Sequence, residues 1–567
     1  MGNAGFKHAQ LPAAAILLAL PCLLALTLSR VAGLFSWDDG AITLAYGRTL
    51  FASGEFALNA LSPRTEGTSS LLYALLNGGV IHALDLGFHQ AIDASRLISA
   101  LFLGATAALL FSILQKYVAI AHAFIISALY CLLPVNYIEV FNGMEMLAFG
   151  FLLLLYLHLL QNAPRLALFV LPFVILVRIE AGFYLVFVLG LAFLLGGTES
   201  RSRYLQHLVA TVLLLFGLEI FRHFYFGSLV PNTVVAKTNP PYSKGEMAGL
   251  EKKIAGFGLF LSYYFAPIIL AFEFFRARRA EASALPNFLL IFAFGLFALL
   301  SGKNWGYDAR MTLALLPPTL VALASVDCDI RRDGSARFVA PVLAMMLTLI
   351  SHTIAATGSM GDFLASVRNG KEYTDLKRQD TSNLDIKAPY NYGMYGVTPE
   401  NYRITGEAVQ ALGEILGVSS VTFASPDVGG LGLCCDRVSV IDTAMLTNPD
   451  LARHGYRFFG EYIARVRPDI IETHGMWSKN TRIYDEGFFN ETYRPVIFRN
   501  TLLHVRNDHI RDLSSKGLLD EVDLQGLDWK AVRYGSQPID QEYVLSRGKL
   551  MSVRARPHPM NGQVGPT

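Results

Sequence analysis

Long apolar runs separated by short polar connections dominate the first 357 positions of the chain. They recur at about 11–31, 92–113, 117–133, 146–161, 166–177, 181–196, 205–221, 257–275, 286–301, 309–326 and 338–357. A bilayer span needs about 20 mostly apolar residues, so the pattern predicts roughly eleven transmembrane helices. The stretch Leu166–Leu195 is too long for one upright helix and short for two. Arg178-Ile-Glu180-Ala-Gly182 interrupts it, and an Arg and a Glu at mid-bilayer are costly. Charge placement decides in favour of two spans. With the split, Lys116, Arg165, Arg201, Arg203, Arg276, Arg278, Arg279, Arg331, Arg332 and Arg337 all fall on the side of the N-terminus, which makes that side cytoplasmic. The first run is too long for a signal-peptide core and lacks a small-residue cleavage site, so it reads as an uncleaved span.

From Gly358 the pattern changes: the tail is polar, charged and rich in Asp, Tyr and Asn. It is about 210 residues long, enough for a folded domain. Val421-Thr-Phe-Ala424 and Val438-Ser-Val-Ile441 read as short buried strands with a Gly-rich turn, Gly429–Gly432, between them. The expected organisation is an α-helical polytopic membrane domain, 1–357, followed by a mixed α/β or β-rich extracytoplasmic domain, 358–567. No internal repeat or low-complexity tract is evident.

Composition narrows the class. The chain has 567 residues, 53% hydrophobic and 16% charged, against roughly 25% charge in soluble domains. Mean hydropathy is +0.40. A net charge of +2 gives no reason to expect nucleic acid. Five cysteines are scattered without metal spacing, and the vicinal pair Cys434-Cys435 cannot close an ordinary long-loop disulfide. The residues demand no cofactor and leave room for a divalent cation.

The candidate chemistry lies on the outer face. Asp38 and Asp39 stand where the first span ends, at the membrane–water boundary, where ionisable groups default to a functional reading. The loop continues to Pro63-Arg64-Thr-Glu66-Gly67-Thr68-Ser69-Ser70 and has helical spacing without the length to span, so it is expected to lie along the interface. A carboxylate there can act as general base, taking a proton from an acceptor hydroxyl as it attacks a sugar carbon. Asp38 is the first choice for base and Asp39 for its assistant. Arg178, Arg222, Lys237, Lys303 and Arg310 stay at the ends of outer connections against the positive-inside bias. As a set they suit a lipid phosphate; taken singly, each could pair with Glu180, Glu145 or Asp308 for structure.

The order of these motifs resembles a family. DDGAITLAYGRTLFASGEFALNA…RTEGTSSLLYALL is similar to the first outer loop of the actinobacterial terminal β-arabinofuranosyltransferases and their bacterial relatives, which reads DDAxIxxRYAxNLxxGxGxxxN…VEGYTxxLW. Asn142-Gly-Met-Glu145 resembles their GxET segment, Arg178-Ile-Glu180-Ala-Gly182 their RPEG segment, and Tyr225-Phe-Gly227…Pro231-Asn232-Thr233…Ala236-Lys237 their YYGxxxPNTxxAK. Arg310 before Leu313–Pro318, and Asp427-Val-Gly-Gly-Leu-Gly432…Ile441-Asp442…Leu446-Thr447, complete the series across nearly the whole chain. Ile179 stands for the Pro of the hairpin motif, Met146 for the Thr after Glu145, and Leu44-Ala45 for an Arg-Tyr.

The resemblance implies a GT-C fold whose first outer loop carries the catalytic acid, and a polyprenyl-phosphate sugar, arabinofuranose by this family, as donor. The acceptor would be an extracytoplasmic glycan or glycoconjugate, and the enzyme would sit in the inner (cytoplasmic) membrane with its site outward. Glu66, Glu145, Glu180, Asn232 and Asp308 would position substrate; Asp427 and Asp442, flanking the Gly-rich turn, either meet the acceptor as hydrogen-bond acceptors or serve as a turn cap and a strand-end acid with no ligand. A GT-C transferase for another lipid-linked sugar or a protein acceptor, or a polytopic transporter, are the alternatives. Against transport, no repeat shows and the charges cluster at one face.

Overall fold

The computed structural model describes residues 3–32, 38–238, 249–276, 285–301, 310–332, 339–355, 398–529, 532–535 and 537–554. Where they are described, the apolar runs of the first 357 residues fall largely on helix. In chain order the helices are α1 (Asn3–Ala32), α2 (Asp38–Ser53), α3 (Leu71–Ala83), α4 (Phe88–Leu114), α5 (Ile120–Cys131), α6 (Pro134–Asn142), α7 (Met146–Asn162), α8 (Pro164–Val177), α9 (Glu180–Leu195) and α10 (Thr198–Phe226). They continue with α11 (Asn232–Thr238), α12 (Gly249–Arg276), α13 (Leu285–Ser301), α14 (Leu316–Arg332) and α15 (Val339–Ala355). Among the described residues four helices are long and apolar enough to cross a membrane, or five if α5 and α6, bent by 47°, form one span; the other apolar helices are shorter. The count of eleven therefore rests on the sequence pattern. The chain does break at Arg178, between α8 and α9.

The tail forms a mixed α/β unit behind α16 (Pro399–Leu416). Its strands are β1 (Val421–Ser425), β2 (Val438–Asp442), β3 (Ile470–Ile471), β4 (Tyr493–Phe498), β5 (Thr501–Arg506), β6 (Leu519–Glu521) and β7 (Met551–Val553). They join in one sheet of order β2-β1-β3-β5-β4-β7-β6. β2, β1 and β3 run parallel, with Phe423 opposite Ile470, and β5 pairs antiparallel to β3 and to β4. Phe498 opposes Thr501, so Arg499 and Asn500 alone make the β4–β5 turn, both at positive φ (47° and 55°) as a primed two-residue hairpin requires.

Two expectations change here. Gly429–Gly432 is not a turn: Gly429–Cys434 forms a short helix, α17, because tertiary contacts described below fix its backbone. The loop after α1 is also more closed than a position at a membrane–water boundary suggests. Asp38 and every residue from Gly40 to Gly47 are buried in α2. Ala41, Ile42, Leu44 and Ala45 share one apolar core with Val421, Phe423 and Leu431 of the sheet unit. Packing thus joins the first loop to the tail across the boundary that composition suggests. Cys434 and Cys435, at the end of α17, form a vicinal disulfide.

Candidate functional site

Three parallel strands end together. The chain leaves β1 toward β2 on one side and leaves β3 toward β4 and β5 on the other, and in open α/β sheets the crevice beyond the carboxyl ends at such a switch point is where ligands bind. At this edge stand Ser425, the last residue of β1, Asp427 just beyond it, and Glu472 and His474 just beyond β3. Ser425 Oγ donates to Glu472 Oε2 at 2.8 Å. His474 Nδ1 lies 2.6 Å from Glu472 Oε1. Tyr402, from α16, donates its hydroxyl to Asp427 Oδ2 at 2.9 Å, and the Tyr534 ring stacks on the imidazole with centroids 4.9 Å apart. Burial pushes Asp427 up to about 6, against the His474 charge and the Tyr402 hydrogen bond. Burial alone would lower His474; the carboxylates of Glu472, Asp427 and Asp540 outweigh it and hold the imidazole up to about 9.

The first outer loop closes on this edge and separates the two acids of the pair. Asp38, 2% exposed, accepts the Gly429 N–H on Oδ2 at 2.6 Å and the Gly430 N–H on Oδ1 at 2.7 Å. The glycines are required for this approach: a Cβ on Gly429 would lie 2.1 Å from the Asp38 carbonyl, and one on Gly430 2.1 Å from the Pro399 carbonyl. Burial, then the Asp427 charge, raises Asp38 to about 8, the two N–H groups opposing. Asp39 is half-buried and makes no hydrogen bond to other described residues. Its charge acts on Asp38, Asp427 and Lys237 alike.

The basic residues divide in the same way. Arg222, 1% exposed, grips Glu66 with Nε at 2.6 Å and Nη2 at 2.7 Å, and reaches Glu219 at 3.0 Å. Arg178 donates to Glu145 at 2.5 Å, to Glu180 at 2.8 Å and to Ser69 at 2.9 Å. Arg310 lies 3.5 Å from Glu145 and 3.8 Å from Glu139. These charges are matched inside the protein, so Glu66, Glu145 and Glu180 act first as their partners; Glu180 keeps Oε2 buried without a hydrogen bond.

Lys237 is different. It is exposed and forms no ion pair within the described residues. Desolvation by the surrounding protein lowers its pKa, while the Asp39 charge works against that. Asn232, at the start of the same helix, donates to the carbonyls of Met445 and Leu446, both at 2.8 Å, and so fixes α11 on the sheet unit. That 443–447 segment is in turn shaped by Asp442, which accepts the N–H groups of Ala444 and Thr447 at 2.7 Å each and which burial raises to about 7. Asp442 and Asn232 therefore serve the fold of the site. Lys303 and Asp308 fall outside the described residues.

Tyr402, Glu472 and His474 were not anticipated. Their signal was faint: a two-residue apolar strand, Ile470-Ile471, followed at once by Glu472-Thr-His474-Gly475. No set of three or more His, Cys, Asp or Glu side chains able to hold a metal occurs among the described residues.

No protein-family description matches the chain, and no curated protein sequence matches it significantly. The crystal structure of the apo oligosaccharyltransferase of Archaeoglobus fulgidus is similar with a TM-score of 0.45 and 13% identity, over 81% of this chain and 69% of that one. A likeness of that degree carries no argument about activity.

Proposed function

We propose that this protein is a polytopic membrane glycosyltransferase of GT-C type, moving a sugar, arabinofuranose, from a polyprenyl-phosphate donor to a hydroxyl of an extracytoplasmic glycan. The observation that carries the reading is the meeting of an open carboxylate, Asp39, with an open cation, Lys237, where the described arginines Arg178, Arg222 and Arg310 are matched by carboxylates. Asp39 takes the acceptor proton as the acceptor oxygen attacks the anomeric carbon. The bond from that carbon to the phosphate oxygen breaks, the phosphate leaves with the electron pair, and Lys237 stabilises the charge it gains. Asp38 keeps the loop docked on Gly429 and Gly430, and Glu180 has an oxygen free for the donor. The ordered motifs shared with the arabinofuranosyltransferases support the sugar and the carrier.

Transport remains the competing reading from another class. It fits less well: among the described residues there is one bent helix pair, α5 and α6, whereas inverted repeats place a broken helix in each half. Washed proteoliposomes given polyprenyl-phosphoryl arabinofuranose and octyl arabinofuranoside separate the two. A covalent disaccharide product, seen by mass spectrometry, supports transfer. Counterflow of the lipid-linked sugar with no new glycosidic bond would overturn it.

A further inference from the structure

The β1–β3 crevice holds a device that the transfer chemistry above does not use. Glu472 is fully buried, receives the Ser425 hydroxyl on one oxygen and faces His474 Nδ1 with the other. Its backbone is fixed as well, the Glu472 N–H donating to the Ala424 carbonyl at 2.8 Å. The next helix starts at Gly475, whose N–H donates to Asp540 Oδ2 at 2.7 Å, so the chain on both sides of His474 is anchored. Tyr534, stacked on the imidazole, is itself held by Thr405 at 3.0 Å. A side chain braced this fully has a defined orientation, and the imidazole remains partly open to solvent.

We propose that this edge is the acceptor side of the site, with Glu472 and His474 as positioning residues: Glu472 orients the imidazole through Nδ1, and the imidazole stands by Asp427, which accepts a hydroxyl of a polyhydroxylated acceptor beside Asp39. The proposal rests on the transferase reading. Asp427 needs a counter-charge because most groups facing it are anionic or neutral. From α2 come Asp38 and Asp39, from the end of β2 Asp442, and from the end of β3 Glu472; Tyr402 faces it from α16, and Tyr456 lies within reach of its charge. His474 is the cation that acts on it. Without that cation burial and the neighbouring carboxylates would raise Asp427 further and weaken it as an acceptor for a sugar hydroxyl. Charge-assisted hydrogen bonds of this kind are the strong ones, and carboxylates are acceptor-only when ionised.

Two measurements on the full-length protein in nanodiscs decide the matter. Diethylpyrocarbonate acylates neutral imidazole, so peptide mass spectrometry of His474 across pH reports its proton. Half-labelling near pH 9 is expected for the parent, and Glu472→Gln should move it down toward the ordinary histidine value of about 6.5. A parent midpoint already near that value, or one unmoved by Glu472→Gln, overturns the pair. In transfer assays with polyprenyl-phosphoryl arabinofuranose and octyl arabinofuranoside, His474→Gln should raise the acceptor KM about tenfold or more, the worth of a charged hydrogen bond. The donor KM should stay unchanged, the acidic limb of the pH profile should move upward, and His474→Lys should restore much of the loss. Equal loss for donor and acceptor, or no rescue by Lys, overturns the positioning role. Absence of transfer by the parent itself overturns the transferase reading alone, since the labelling curves still decide the pair.

Discussion

Two groups of charged side chains stand out among the described residues, and they are built in opposite ways. Around Arg222 and Arg178 every guanidinium meets carboxylates at hydrogen-bond distance, deep in the protein. At the sheet edge Asp39, half-buried, and Lys237, exposed at the surface yet desolvated by the protein around it, lie within reach of each other's charge but form no ion pair among the described residues. Buried ion pairs contribute little net stability once desolvation is counted, but breaking one leaves an uncompensated charge. The closed group therefore reads as architecture that must be complete. An open acid and base on one edge give up stability that pairing would supply, and unmatched charged groups of this kind mark chemistry. The same division runs through two adjacent residues, Asp38 closed and Asp39 open.

Asp39→Asn should show the largest effect, a fall in turnover of about 10²–10⁴-fold, the usual contribution of a general base. Its thermal unfolding should match the parent. Asp38→Ala should behave in reverse, orphaning the buried Gly429 and Gly430 N–H groups at about 1–3 kcal/mol each and lowering Tm. An Asp38 variant that unfolds like the parent, alongside a destabilised Asp39 variant, would break the comparison between the two acids.

The basic residues give the next contrast. Arg222→Ala should cost about 3–5 kcal/mol of stability, because Glu66 is left buried and unpaired. Lys237→Ala should leave unfolding alone and weaken binding of the lipid-phosphate donor by about 1.5–3 kcal/mol, one charged hydrogen bond. Calorimetry of both variants, with donor titrations in nanodiscs, reads the two effects separately. If Arg222→Ala folds normally and loses donor instead, the closed group is a phosphate site after all.

The architecture was legible because apolar runs and the two strand segments are local signals. Val421–Ala424 and Val438–Ile441 lie within β1 and β2 as read. Less legible were elements whose form depends on partners distant in sequence. Gly429–Gly432 has turn composition, yet it becomes helical where Asp38, 391 positions earlier, takes its N–H groups. The charged candidates were found as a set, but which of them are matched internally depends on such pairings too: Arg222 with Glu66 is separated by 156 positions. Asp427 was singled out by its Gly-rich neighbourhood, whereas Glu472 and His474 follow a strand only two residues long, too short for any periodic signal.

The smallest effect concerns pH, and it sharpens the contrast between an open edge and a closed network. Asp38, Asp442 and Asp427 are raised to about 8, 7 and 6. A carboxyl raised on folding contributes fully below its unfolded value, near 4, and that contribution is lost as pH rises through the folded value. His474, raised to about 9, contributes fully below about 6.5 and loses its share as pH rises through 9. All four slopes therefore run downward between about pH 4 and 9. Glu400 and Asp469 are lowered to about 2; Glu400 by the His89 and Arg403 hydrogen bonds against burial, Asp469 by His509 and Thr422. Their contributions are intact above about pH 4.5 and fail only as pH falls toward 2. The sheet unit should accordingly be most stable at mildly acid pH, near 5, and soften steadily toward pH 9. Unfolding followed by tryptophan fluorescence across that range should show the decline, and Asp38→Asn, which removes the steepest contributor, should flatten it. A Tm that rises from pH 5 to 9 would mean that the strand-end acids are ionised at little cost, and that the edge is as closed as the network beside it.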